Sequence, residues 1–496
     1  VTFQTTLPTA PRAIAGAAPG AGAAWGLRIT IVVTIVWGLG WLMGFVWALG
    51  VLTAGAFAAA IAGRRHPVVG LLGVSMLCTM DAPMRHYLLT TGGLLRWNTL
   101  NYWLLIVVLT SVPLIERLND VQSRLLKIFI VVMAAGLVFT PSLELGVQHM
   151  LGIASIFGLL VYFALAGADS DSWFWMGIAN GVLAALGGLL FYLTRERIPE
   201  ININAWGFFP LTALFAICLA YRYARGRRFG VAALAGLAII NVLWVFLSGS
   251  RGNLLIAIAC LLFLLATTPG VSRRIAIVLV ASLMLLLAAS WFSDLQRHAL
   301  QRVGKLLDSD RSAMSRTSGR SELAIGGWIL FSRHPLGVGT GGFAEKWAEL
   351  GYADGLSGFR VGEEFQAHSA WVKVLAENGL PGTLLFGAYV ASFAIVGFRR
   401  RQPGQRSLGL MATATLAVAF ISTEFQGKGF WFFAAGASTQ LNPREALAAV
   451  RESMGISGPF RHRLTEPLRR RVEHHVGSCS PRILRAPRRL GAGRAS

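Results

Sequence analysis

The chain has 496 residues, of which 54% are hydrophobic and only 14% charged, with a mean hydropathy of +0.58. Soluble domains carry about 25% charged residues, so a large soluble enzyme, a disordered chain and a disulfide scaffold are excluded. The formal net charge of +22 marks loops that face the cytoplasm rather than a nucleic-acid surface, and no nucleic-acid partner is expected.

Roughly 270 apolar residues would supply, at about 20 per crossing, a dozen or so transmembrane helices. Residues 1–26 are rich in Ala, Gly and Pro, lack the pattern of a cleaved signal peptide, and read as a flexible N-terminal segment. A transmembrane region is expected over 27–292, with spans near 27–43, 46–62, 67–82, 102–115, 128–145, 149–167, 172–194, 206–221, 229–247, 254–267 and 275–292. One helix over the uncharged stretch 29–62 would be about 51 Å long. That is too long for a single crossing of ~30 Å, so a tight hairpin is expected near Gly44. The segment 293–369 follows as a large outer loop. A second transmembrane region, 370–441, has spans near 380–397, 407–425 and 428–440. Spans 67–82, 102–115, 254–267 and 428–440 are short enough to be partly re-entrant. Residues 442–496, with 12 Arg against 4 Glu, read as a basic, disordered cytoplasmic tail. The fold class is all-α: a polytopic transmembrane helical bundle of 12–14 helices.

Basic residues in short loops set the orientation. Arg64-Arg65, the run Arg222 to Arg228, Arg273-Arg274 and Arg399-Arg400-Arg401 fall in alternate loops. Both termini are then cytoplasmic, and the loops at 248–253 and 293–369 face outward. The latter holds 9 Lys+Arg and 9 Asp+Glu, neutral where the inner loops are basic. A connector of that length is usually functional.

Three places in the outer segments carry chemistry. Arg251, in Leu247-Ser-Gly-Ser-Arg-Gly-Asn253, runs against the positive-inside bias. Its small neighbours leave room for a ligand, and its fork of donors suits phosphate oxygens; the plain alternative is a side chain snorkelling to the headgroups. Arg320 opens Ser318-Gly-Arg-Ser-Glu-Leu-Ala-Ile-Gly-Gly-Trp328, which reads as a short amphipathic helix before a glycine-rich turn. Gly337, Gly339 and Gly342 spell G-x-G-x-x-G, but no strand precedes them, which rules out a dinucleotide fingerprint. The glycines are expected to form a backbone fold next to the membrane, with an anion-binding concavity as one form it could take. His368 precedes a helix over Trp371–Leu380 that Asn378-Gly379 and Pro381 should end. Its imidazole, near neutral in pKa, is suited to taking a proton from a sugar hydroxyl.

Secondary candidates are Arg297 and Arg302, with Lys305, at helical spacing, for drawing in an anionic lipid; a solvated helix face is the alternative. Glu377, with Glu363 and Glu364, would orient His368 or an arginine, or in the case of Glu377 only cap local structure. Trp328, with Trp291, Trp347 and Trp371, would stack on sugars. Interfacial Trp is common in membrane proteins. No metal site is expected: Asp308-Ser-Asp310 reads as a solvated turn, and Cys78, Cys218, Cys260 and Cys479 form no C-x-x-C pair.

The order Ser-Gly-Ser-Arg251-Gly, Ser-Gly-Arg320 with Trp328, His334-Pro-Leu-Gly-Val-Gly-Thr-Gly-Gly-Phe343, then His368-Ser with Leu375-Ala-Glu-Asn-Gly-Leu-Pro-Gly382 resembles the O-antigen ligase/polymerase family over about residues 206–398. The resemblance implies a GT-C-type glycosyltransferase of the bacterial inner membrane. Such an enzyme moves a glycan from an undecaprenyl diphosphate donor to a glycan, lipid-A-core or protein acceptor on the periplasmic face, without metal or other cofactor. By the same resemblance Arg251 and Arg320 bind the donor diphosphate and His368 activates the acceptor, which with direct attack at the anomeric carbon implies inversion. Ser369 stands where the family often has Asn. Ligase and polymerase are poorly separated by sequence, with polymerase or exopolysaccharide synthesis slightly favoured. The alternative from another class is a transporter or flippase of lipid-linked sugars, which should show internal repeats and interrupted helices; no convincing repeat is visible.

Overall fold

The computed structural model describes residues 21–62, 67–87, 118–166, 170–194, 203–224, 228–266, 320–353, 367–400, 402–422 and 428–443. These form helices α1 (Ala21–Met43), α2 (Phe45–Ala62), α3 (Pro67–Tyr87), α4 (Val121–Gly136), α5 (Leu143–Ala166), α6 (Ser170–Thr194) and α7 (Ile203–Tyr221). They continue as α8 (Arg228–Leu247), α9 (Arg251–Ala266), α10 (Arg320–Arg333), α11 (Phe343–Ala353), α12 (Ala370–Arg399), α13 (Pro403–Ser422) and α14 (Lys428–Leu441). The protein is an all-α polytopic membrane bundle. Among the described residues seven helices are long and apolar enough to cross a membrane, and two shorter apolar helices lie over Val68–Met84 and Gly252–Leu264. The spans expected at 102–115 and 275–292, the residues Arg297 and Arg302, and the tail beyond 443 lie outside the described residues.

Several expectations need correction. The flexible segment was expected to run to residue 26, yet α1 begins at Ala21. Its alanines favour helix, and Gly26 has no side chain to hold off the indole of Trp175 on α6. The span expected at 128–145 is two helices. Asp120 caps α4, its carboxylate accepting from the Ser123 N–H at 2.9 Å, and α4 stops at Gly136, with α5 starting at Leu143. The break at Gly44 is where expected: its φ of +99 favours glycine, Trp37 stacks on Phe45 across it, with ring centroids 5.6 Å apart, and Gly40 meets Ala48.

The large core is knitted by aromatic pairs and by interhelical hydrogen bonds, which replace the hydrophobic drive that lipid removes. Phe191 stacks on Trp206 at 3.7 Å and Phe215 on Phe433 at 4.8 Å. Thr79 donates to Asn180 at 2.7 Å, and Asn180 donates to Ser75 at 2.8 Å, tying α3 to α6. Helix α14 is buried at every residue. Its 14 residues are about 21 Å long, short of the hydrocarbon thickness, as befits a strut inside the bundle.

A second, smaller core joins Leu323 and Leu330 of α10, Val338, Phe343, Trp347 and Leu350 around α11, and Ala367 and Ala376 beside and on α12. The sequence reading has no helix at α11. Helix α12 serves both cores within its first segment, with Ala370 and Val374 in the large core and Ala376 in the small, and it is two helices joined at Gly379, with φ 60 and ψ −157. Only glycine adopts that conformation without strain, and Pro381 then fits the first turn of the second segment. The helix expected over Trp371–Leu380 therefore ends at Gly379, as the Asn-Gly pair and Pro381 suggest, and a second helical segment follows where the span 380–397 is expected. A Cβ on residue 379 would also meet the Pro335 carbonyl oxygen and the Leu336 backbone. Gly379→Ala should therefore cost on the order of 2–6 kcal/mol, read as a lowered denaturation midpoint of the detergent-solubilised protein.

Candidate functional site

His368 sits immediately before α12. Ser369 is the N-cap: its hydroxyl accepts from the Val372 N–H at 3.4 Å and donates to the Phe420 carbonyl of α13 at 3.1 Å. Ser and Asn are both strong N-caps, so either residue here would start the helix. Ser369→Ala should destabilise by about 1 kcal/mol, with Ser369→Asn closer to wild type, as measured by melting midpoints. His368 itself is exposed and holds φ at 49, the only non-glycine among the described residues with positive φ. His is among the residues that tolerate this region, and strain of this kind concentrates at functional sites.

A chain of contacts leads from His368 to the loop of Arg251. Ser369 bonds to Phe420, and the Phe420 ring lies 5.9 Å from that of Phe430 on α14. Phe430 lies 5.0 Å from Phe208 on α7. Next to it, Gly207 is packed by Ser248, Ser250 and Asn253, the residues that flank Arg251. Arg251 is the first residue of α9. Arg320 is likewise the first residue of α10. Gly327 meets Val372, and Pro335 and Leu336 meet Gly379. The two helices thus run parallel, and α10 starts at the His368 end. Lys428 opens α14 beside them and is buried. Three helices with a cation at their first residue therefore begin at the end of the bundle that carries His368. The positive ends of their dipoles add to the charge.

The glycine-rich turn is a backbone fold, as expected, rather than an anion-binding concavity. Its donors are spent on protein acceptors: Gly337 N–H on His334 O, Val338 on Ala376 O at 2.9 Å, Gly339 on Glu377 O at 3.0 Å, and Thr340 on Gly136 O at 3.2 Å. Thr340 Oγ1 donates to Met133 O at 2.7 Å and accepts from Asn378 Nδ2 at 2.8 Å. Gly339 and Gly341 have φ near +90, and each packs against backbone of the α4–α5 turn or α5. The turn is a clamp that binds α10, α11 and α12 to α4 and α5.

Glu377 lies two turns below the His368 end, about 12 Å along the helix from Ser369, out of reach of the imidazole. It is a cap, the local role weighed for it: its Oε1 accepts from the N–H of Phe343, the first residue of α11, at 3.3 Å. Among the tryptophans, Trp328 is 60% exposed on α10 and lies 5.5 Å from Phe331. Trp347 is buried in the small core. Trp371 donates from Nε1 to Ala417 O at 3.1 Å and packs on Phe386. Trp347 and Trp371 are structural; Trp328 alone of the three faces outward.

The sequence reading missed the buried ionisable side chains that accompany Glu377. Lys373 Nζ lies 2.8 Å from His149 Nε2, and His149 Nδ1 lies 3.8 Å from Glu377 Oε2. Asp81 and Lys428 are also buried. The signal was present as single ionisable residues inside apolar spans, each of which is a functional candidate by default. Among the described residues no cluster of three or more His, Cys, Asp or Glu side chains is placed to hold a metal ion.

A family model described as O-antigen ligase matches residues 236–387. That stretch runs from within α8 past the kink of α12 and contains Arg251, Arg320, Trp328, His368 and Glu377. No curated protein matches the chain.

Proposed function

We propose that this chain is an inner-membrane glycosyltransferase of the O-antigen ligase/polymerase type, acting on a lipid-diphosphate-linked glycan at the periplasmic face. The observation that carries the reading is the gathering of His368, exposed and held at positive φ, at one end of the bundle with the helix starts of Arg251 and Arg320. The match to the O-antigen ligase model over the same residues supports it.

In this reading the two guanidiniums hold the diphosphate of an undecaprenyl-linked donor bidentately and stabilise the charge that develops as it leaves. His368 removes the proton from the acceptor hydroxyl, which attacks the anomeric carbon from the opposite side. The C–O bond to the diphosphate breaks, and configuration inverts. Electrostatic stabilisation by two arginines serves where a divalent ion would otherwise be needed, so turnover is expected to persist in excess chelator. The +22 charge orients the chain with both termini cytoplasmic.

The decisive experiment supplies the purified protein in lipid nanodiscs with a synthetic lipid-diphosphate-linked glycan. Release of free lipid diphosphate together with an inverted glycosidic product is expected. Intact donor moved between leaflets without release would indicate a flippase instead, and retained stereochemistry would sink the direct-attack mechanism. Growth of the glycan on the carrier distinguishes polymerase from transfer to lipid-A core or protein by a ligase.

A further inference from the structure

We propose that Glu377, with His149 and Lys373, is a positioning group for this reaction: the triad sets where the small core, which carries Arg320, stands relative to the large core, which carries Arg251 and against which Ser369 and Ala370 seat His368. The proposal rests on the functional reading of those three residues given above and adds to it the groups that hold its two halves in register.

The two halves of the site belong to different packing units. Arg251 opens α9, whose Ile256, Ala257 and Cys260 are in the large core. Arg320 opens α10, whose Leu323 and Leu330 are in the small core, and His368 stands between the two, with Ala367 in the small core and Ala370 in the large. The register between the units is set where they touch, and Glu377 is at that contact. Its Oε1 accepts from Phe343 at the start of α11, and its carbonyl accepts from Gly339 of the turn. Its Oε2 faces His149 Nδ1 on α5, in the large core, at 3.8 Å.

Elementary hydrogen-bond chemistry orients the triad. With Lys373 as an ammonium, which only donates, the 2.8 Å contact has His149 Nε2 accept and puts the ring proton on Nδ1, on the side of the Glu377 carboxylate. Lys373 and Glu377 are four residues apart on one helix face and hold the imidazole between them. All three side chains are buried, at 0%, 2% and 1% exposure for Lys373, His149 and Glu377. Lys428 on α14 lies within electrostatic reach of the same imidazole.

Charges buried in an apolar bundle add little stability over hydrophobic filler of similar volume. What they add is direction, since a carboxylate that takes one N–H from the small core and lies 3.8 Å from a ring nitrogen of the large core favours one register, alongside the clamp of the glycine-rich turn. Displacement of a catalytic group by about 1 Å costs on the order of 10²-fold in rate, so a register of this kind bears directly on turnover.

The test combines kinetics with a distance. Glu377→Ala is expected to lower kcat about 10- to 100-fold with donor KM changed less than threefold, and Glu377→Asp to recover part of the loss. In a cysteine-free background that retains wild-type turnover, spin labels on Ile325→Cys of α10 and Val147→Cys of α5 should give one narrow distance in the parent. The distribution should be broadened or shifted with Glu377→Ala. If Glu377→Ala does not yield monodisperse protein, Lys373→Met serves in its place with the same expectations. A kcat within twofold of wild type overturns the proposal, as does a fallen kcat with an unchanged distance distribution. A wild-type protein that transfers no glycan overturns the functional reading and with it the catalytic half of the proposal. The distance measurement still supports or overturns the positional half.

Discussion

His368→Ala is expected to lower glycan transfer by about 10²–10⁴-fold, the range for loss of a general base. The loss should fall on kcat, because the imidazole contributes when the acceptor proton moves. Donor affinity should change little. The fold should survive, since His368 is exposed and the cap of α12 is made by its neighbour Ser369. Replacing a residue held at φ 49 even permits a control: His368→Gly relaxes the strain but removes the base, and should be as inactive as the alanine variant. Turnover by either variant within a few-fold of wild type would remove His368 from the mechanism. The measurement is single-turnover release of lipid diphosphate in nanodiscs, with melting midpoints recorded alongside.

Arg251→Ala and Arg320→Ala should each cost about 10²–10³-fold, the effect of removing one preorganised donor to developing charge. Here the lysine variants are informative. Lysine keeps the charge at the first residue of α9 or α10 but loses the planar fork. Arg→Lys should therefore fall between wild type and alanine if the ligand is a diphosphate held bidentately. Equal activity of lysine and arginine variants would indicate a diffuse attraction of anionic lipid instead. Because both residues are assigned to one diphosphate, the double variant should lose less than the product of the two single losses. Full additivity would place them on different groups.

Much of this molecule is readable along the chain. A run of 20 apolar residues is a local property, and burial in lipid demands helix wherever it occurs because the backbone must satisfy its own hydrogen bonds. The expected spans at 46–62, 172–194 and 229–247 accordingly coincide with helices to within two residues. Breaks that depend on special backbone are also visible, as at Gly44. Where a boundary depends on a partner, the chain misleads. Helix α4 ends at Gly136 because Thr340, some 200 residues on, packs there and takes its carbonyl. The glycine-rich turn looks like an anion cradle, and only the carbonyls of α12 and Gly136 reveal that its donors are already taken.

The sequence by itself determined the class of the molecule: an apolar, all-α bundle, with Arg251, Arg320 and His368 standing out as polar residues between or at the ends of apolar spans. Those are consequences of hydropathy and of residue type, which act over one turn or one span. Only the tertiary structure decided that the starts of α9, α10 and α14 gather at the end that carries His368, that Glu377 caps α11 rather than orienting the imidazole, and that His149 lies between Lys373 and Glu377. Contacts between residues 149 and 377 depend on how helices pack, and packing is set by the shapes of many side chains at once, which no local pattern encodes.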